Sequence, residues 1–106
     1  MVTRGDVWLA ALDPATGSEI RKTRPCLVIS PPEMNEVLRT VLIAPMTTKG
    51  MAASFRVRTK FAGKDGLIVL DQVRVLDKGR LLRRLGPIGK NTLSTVLGVL
   101  AEVFAP

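Results

Sequence analysis

No histidine and no tyrosine occur in this 106-residue chain, which has one cysteine, one tryptophan and three phenylalanines. The missing histidine excludes most. With only Cys26 as a thiol, neither zinc ligation of the Cys/His type nor a Ser–His or Cys–His nucleophile pair can be assembled. A lone cysteine makes no intramolecular disulfide. Cys26 lies inside the apolar run CLVIS and reads as a small core residue of a chain kept in a reducing cytoplasm. Neither GxxxxGK[ST] nor GxGxxG is present, so no glycine-rich phosphate cradle is expected. The nine acids are scattered without ligand-like clustering, so neither a metal site nor a cofactor is expected. Aromatics at 4% make base stacking a minor theme. The first residues, MVTRGDVW, contain no apolar leader core, and no apolar run approaches membrane-spanning length.

Positive charge is abundant. Sixteen Lys and Arg against nine Asp and Glu give a net charge of +7 on one small domain, residues 1–106. That surplus favours an anionic partner, with nucleic acid the first candidate.

The hydrophobic pattern is mostly that of strands. VWLAAL reads as a short buried strand closed by the Asp13-Pro14 turn signal, and residues 15–24 read as a mobile loop. CLVIS is a central strand, PPEMNEVL a helical turn or two, and TVLIAPM a third strand with Pro45 marking its end or a bulge. SFRVRT alternates Phe55 and Val57 with Arg56 and Arg58, placing both arginines on one face. GLIVLDQVRVL supplies more strand. A turn at Lys78-Gly79 leads to a last basic strand carrying Arg80, Arg83 and Arg84. Leu93, Val96, Leu97, Leu100, Ala101 and Phe104 then recur at helical spacing, with Asn91 or Thr92 as the N-cap. Several short strands followed by one helix suit a small, strongly bent antiparallel sheet or barrel closed by that helix. Trp8, in an apolar strand, reads as a core or interface residue.

Carboxylates, arginines and hydroxyls remain as chemical equipment, and they suffice for cutting RNA. The substrate carries its own nucleophile, the 2′-hydroxyl; the protein must take one proton, supply another, and neutralise the charge gathering on phosphate. The stretch GSEIRKTRP places Glu19 among Arg21, Lys22 and Arg24, with Lys49 further along. A carboxylate can act as base, and arginine suits bidentate contact with phosphoryl oxygens. Taken alone, this pattern is more often an exposed charge pair of no consequence.

GDVW, DPATGSE, RP, a strand ending in Ser, P-x-TT and DQVR-x-LDK-x-RL follow one another in register from Gly5 to Arg80. In this the chain resembles the MazF/PemK/Kid toxins of bacterial toxin–antitoxin pairs. The resemblance implies a mainly β fold with a C-terminal helix, a small SH3-like barrel, and assembly as a homodimer. It implies a metal-independent endoribonuclease that cuts single-stranded RNA at short motifs, leaving 2′,3′-cyclic phosphate and 5′-hydroxyl ends, and a cognate acidic antitoxin that neutralises it. Carried over by position, Arg24 and Thr47 match catalytic residues and Glu19 an acid implicated in some members. Asp71, Gln72 and Arg74 match an RNA-contacting segment, in which the aspartate has a catalytic part in one branch. Arg21, Lys22, Thr48 and Lys49 are expected to hold flanking phosphates. Thr23 stands where some members carry histidine, and Ala11 where an acid is common. Two other functions share the fold class: a gyrase poison of the CcdB type, whose Trp-Gly-Ile tail is not matched by Val103-Phe104-Ala105-Pro106, and a non-catalytic nucleic-acid-binding barrel.

Overall fold

A computed structural model describes residues 1–106. In chain order it has β1 (Asp6–Ala11), β2 (Thr23–Val28), α1 (Pro32–Asn35), β3 (Thr40–Thr47), β4 (Arg56–Phe61), β5 (Lys64–Val69), β6 (Arg74–Asp77), β7 (Leu81–Pro87) and α2 (Lys90–Val103). The strands run in the order β4-β5-β3-β2-β1-β7, with β6 added to β3, and every pairing is antiparallel. The mainly β expectation with a terminal helix holds. No helix is long and apolar enough to cross a membrane.

CLVIS is continuously apolar because both of its faces are covered. Leu27 and Ile29 join a core with Val7, Ala44, Met46, Ile68 and Val96 of α2, while Cys26 and Val28 join a second with Ala10, Leu12, Ile43 and Leu76. Trp8 packs against the second core. Burial pushes the Cys26 thiol up to about 12, against a smaller opposing pull from the Arg74 charge. The residue is inert packing, as its surroundings in sequence suggested.

Pro45 does not end β3. The strand runs through it, opposite Cys26, and the partner on its far edge changes there. Thr40–Ile43 pair with β6, whereas Met46 and Thr47 pair with Ile68 and Leu67 of β5. A residue without an N–H fits the gap between two partners.

Several boundaries differ from those read in sequence. β2 begins at Thr23, so Arg24 and Pro25 belong to a strand, laddered to Ala10 and Leu9, rather than to the preceding loop. β4 starts at Arg56 and runs to Phe61, because Ala62 and Gly63, with φ of 51° and 78°, close a two-residue hairpin onto β5. The stretch GLIVLDQVRVL is two strands broken by a 3-10 turn over Leu70–Gln72, which lifts Asp71 and Gln72 out of the sheet. Gly89, not Asn91 or Thr92, occupies the N-cap of α2, and no side chain caps it. Only the first part of the apolar stripe is packed: Leu93, Val96 and Leu100 meet the first core, whereas Ala101 is exposed and Phe104 is 77% exposed.

Candidate active site

The end of the β2–β3 ladder lies at the centre of the site. Leu27 faces Ala44 and Cys26 faces Pro45, where the β2–β3 ladder ends; beyond it Arg24 continues β2 along β1 and Thr47 continues β3 along β5. Both residues line one cleft of about 320 Å³, together with Thr48, Thr59, Phe61, Asp65 and Gly66. Arg24 donates Nε to the Arg21 carbonyl at 3.2 Å, which fixes the guanidinium and leaves its two Nη groups without a protein partner. The Thr47 hydroxyl oxygen accepts from the Lys49 N–H at 3.1 Å, so its own proton remains available to donate. Two immobilised groups thus present free donors to the same space.

A second, wider cleft of about 640 Å³ adjoins the first. Arg58 and Lys60 line it, and Thr48, Thr59, Asp65 and Gly66 belong to both. Gly66 is required where the two meet: a Cβ there would stand 2.7 Å from the Thr47 carbonyl oxygen. Its missing side chain lets β5 close on the end of β3.

The remaining expected residues are placed elsewhere. Glu19 accepts from the Thr16 N–H of its own loop and lines neither cleft. Arg21 donates to the Ala15 carbonyl at 3.1 Å and lies 3.9 Å from the Asp13 carboxylate. Lys22 is exposed and holds a left-handed φ of 68°, while its carbonyl accepts from Leu12 N–H. Lys49 is exposed, and neither it nor Lys22 lines a cleft. Gln72 receives the Ile20 N–H on Oε1 at 2.7 Å and donates Nε2 to the Ser18 carbonyl at 3.2 Å. Arg74 donates to the Leu12 carbonyl at 3.2 Å, and Arg80 to the carbonyls of Ala11 and Asp13. Residues 13–22 therefore form the expected loop, but a tethered one.

Asp71 is held in a fork by Arg56, Nε to Oδ1 and Nη2 to Oδ2, both at 2.9 Å; Arg56 Nη1 also reaches the Met51 carbonyl at 3.2 Å. The Arg56 hydrogen bonds hold the Asp71 carboxyl below the ordinary carboxylate value, partly opposed by desolvation, and raise the guanidinium in return. Such an aspartate is a weak proton acceptor. Arg84 is paired with the buried Asp6 at 2.9 Å, leaving Arg83 as the member of its basic strand without an internal partner.

Sequence reading passed over Asp65 and Gly66. Gly66 opens the run read as strand, and only the extension of β5 back to Lys64 puts it inside a strand, where a glycine marks close backbone approach. No three Cys, Asp or Glu side chains converge anywhere in a way that could hold a metal ion.

Comparison with known proteins agrees with this architecture. The family profile described as "PemK-like, MazF-like toxin of type II toxin-antitoxin system" matches residues 3–104. Endoribonuclease PemK of Escherichia coli is 35% identical over 107 residues, covering 95% of this chain and 80% of the relative. The crystal structure of MazF from Deinococcus radiodurans (Form-I) superposes with a TM-score of 0.85 at 27% identity, over 96% of this chain and 94% of that one. A MazE-MazF crystal structure (Form-I) from the same organism gives 0.72 at 28% identity, over 96% and 94%. A profile match over nearly the whole chain, on a fold shared with MazF, shows that this protein belongs to the PemK-like, MazF-like family of endoribonuclease toxins of type II toxin–antitoxin systems.

Proposed function

We propose that this toxin cuts single-stranded RNA within short motifs, without a metal ion, by attack of the RNA's own 2′-hydroxyl on the adjacent phosphate. The products carry a 2′,3′-cyclic phosphate and a 5′-hydroxyl. What carries this reading is that Arg24 and Thr47 line one cleft, both with donors that no protein atom receives. The free Nη groups of Arg24 hold the phosphoryl oxygens and the Thr47 hydroxyl donates a further hydrogen bond, so both stabilise the charge that develops in the transition state. Arginine is too rarely deprotonated to be a good base, and its role here is electrostatic. Arg58 and Lys60, lining the wider cleft, take the phosphates that flank the cut.

The same cationic surface suits an acidic antitoxin segment that competes with RNA; MazF of Deinococcus radiodurans has been crystallised with MazE. Homodimerisation is part of the same proposal by family membership. The test is cleavage of a random-sequence RNA pool by purified protein in excess EDTA, with end-group analysis. Cyclic phosphate ends in chelator support the proposal, and activity lost with EDTA and restored by magnesium rejects it. RNA that is bound but never cut, by wild type as by Arg24→Ala, returns the protein to a binding role.

A further inference from the structure

The reaction needs a group to accept the 2′-hydroxyl proton, and the nine carboxylates of the chain can be sorted by position. Asp6, Asp13 and Asp71 are the acidic partners of the three ion pairs. Glu19 caps its own loop and Asp77 accepts from the Gly79 N–H at 2.7 Å. Glu33, Glu36 and Glu102 line neither cleft. Asp65 alone lines the cleft of Arg24 and Thr47, and its carboxylate takes part in none of the three ion pairs.

We infer that Asp65 is the proton acceptor of RNA cleavage in this toxin, a reading that rests on the proposed ribonuclease activity. Its placement is fixed by strands rather than by a loop. The backbone pairs Asp65 with Lys60 of β4, and the next residue, Gly66, lies against the Thr47 carbonyl. A site built on paired strands holds its groups more rigidly than one built on a loop. In the step itself the 2′-hydroxyl proton passes to the Asp65 carboxylate as the 2′-oxygen forms its bond to phosphorus. The bond from phosphorus to the 5′-oxygen breaks, that oxygen takes a proton from solvent water, and Asp65 returns its proton to solvent. Arg24 of β2, Arg58 and Lys60 of β4 and Lys64 of β5 share the clefts with Asp65 and offer the phosphates cationic partners on either side of it.

The experiment compares wild type, Asp65→Asn and Asp65→Ala in EDTA on the random RNA pool, with sequencing of the cut ends and pH–rate profiles on the preferred motif. Binding is measured separately with the same motif fully 2′-O-methylated. Loss of a general base predicts kcat lower by roughly 10²- to 10⁴-fold in both variants. The acidic limb of the pH profile should vanish, the cut motif should stay the same, and affinity for the methylated RNA should hold within a few-fold. A substrate with sulfur in place of the scissile 5′-oxygen should not rescue the variants, because a better leaving group does not replace a base. Rates near wild type overturn the inference alone, as does an altered motif at undiminished rate, which would make Asp65 a reader of bases. Full rescue by the sulfur substrate overturns it too, by making Asp65 the acid. If wild type itself cuts nothing, the ribonuclease reading falls and this inference falls with it. Asp65 is exposed, so both variants should melt as wild type does.

Discussion

Two regions of this protein use the same residue types for opposite purposes. At the outer ends of β2 and β3, Arg24 and Thr47 keep donors that no protein atom receives. Beneath the loop of residues 13–22, Gln72, Arg74 and Arg80 spend hydrogen bonds on Ser18, Ile20, Leu12, Ala11 and Asp13, with Arg56–Asp71 as a further bolt beside them. The net charge of +7 therefore does not measure the RNA-binding surface. Part of it is scaffold. A cation acts on a ligand only where the fold leaves its donors unpaired.

The largest expected effect lies at the open end. Arg24→Ala and Thr47→Ala should each cost about 10²- to 10³-fold in cleavage rate, as removal of one preorganised donor does, with the melting temperature and RNA affinity nearly unchanged. A matching fall in thermal stability would erase the contrast between the two regions.

Gly66→Ala should strike both properties at once. A Cβ 2.7 Å from the Thr47 carbonyl forces β5 or β3 to move, at about 1–3 kcal/mol of stability and with a loss of rate as Thr47 shifts. Chemical denaturation and single-turnover cleavage measure the two parts. An alanine variant with wild-type values in both would show that the strands need not approach so closely.

Gln72→Ala comes next. It removes both tethers of the Ser18–Ile20 segment, at about 1–2 kcal/mol, and hydrogen exchange should rise within residues 13–22. Were Gln72 instead an RNA contact, affinity would fall while exchange stayed constant.

Arg56 and Arg58, two residues apart on β4, give a finer comparison. Arg56→Ala should lower stability by about 1 kcal/mol or less, the pair with Asp71 being partly exposed, and leave the salt dependence of RNA binding intact. Because Asp71 titrates lower in the folded protein, this stabilisation is present above the unfolded aspartate value of about 3.9 and disappears as pH falls through the lower folded value. Melting curves from pH 6 to pH 2 should converge between wild type and Asp71→Asn. Arg58→Ala, the smallest change, should leave melting untouched and lower the salt slope of RNA binding by about one unit. Exchanged outcomes for the two arginines would reverse their assignments.

The local readings that survived share a physical basis. CLVIS was legible as a strand because β-branched and aliphatic residues in a short run suit a sheet covered on both sides, and the terminal helix because its period is close to 3.6. The Lys78-Gly79 turn and the proline-led α1 follow from backbone restrictions of single residues. Cys26 was legible as packing from its apolar neighbours alone. Arg24 and Thr47 were named through a family resemblance, and the cleft that both of them line then gave the geometric reason that they belong together.

What the sequence determined by itself is thus the mainly β order closed by a helix, the two-faced core strand and the exclusion of histidine from the chemistry. Which polar groups are free and which are spent was decided only by the tertiary structure. Gln72 meets a carbonyl 54 residues away and Arg74 one 62 residues away, and no local pattern encodes such pairings. Arg56 and Arg58 share a face by the period of two, yet only the turn at Leu70–Gln72 brings Asp71 back to claim the first of them. Asp65 enters the Arg24–Thr47 cleft through strand register and one missing Cβ, because long-range register, set by the packing of the whole sheet, fixes the partners of every side chain.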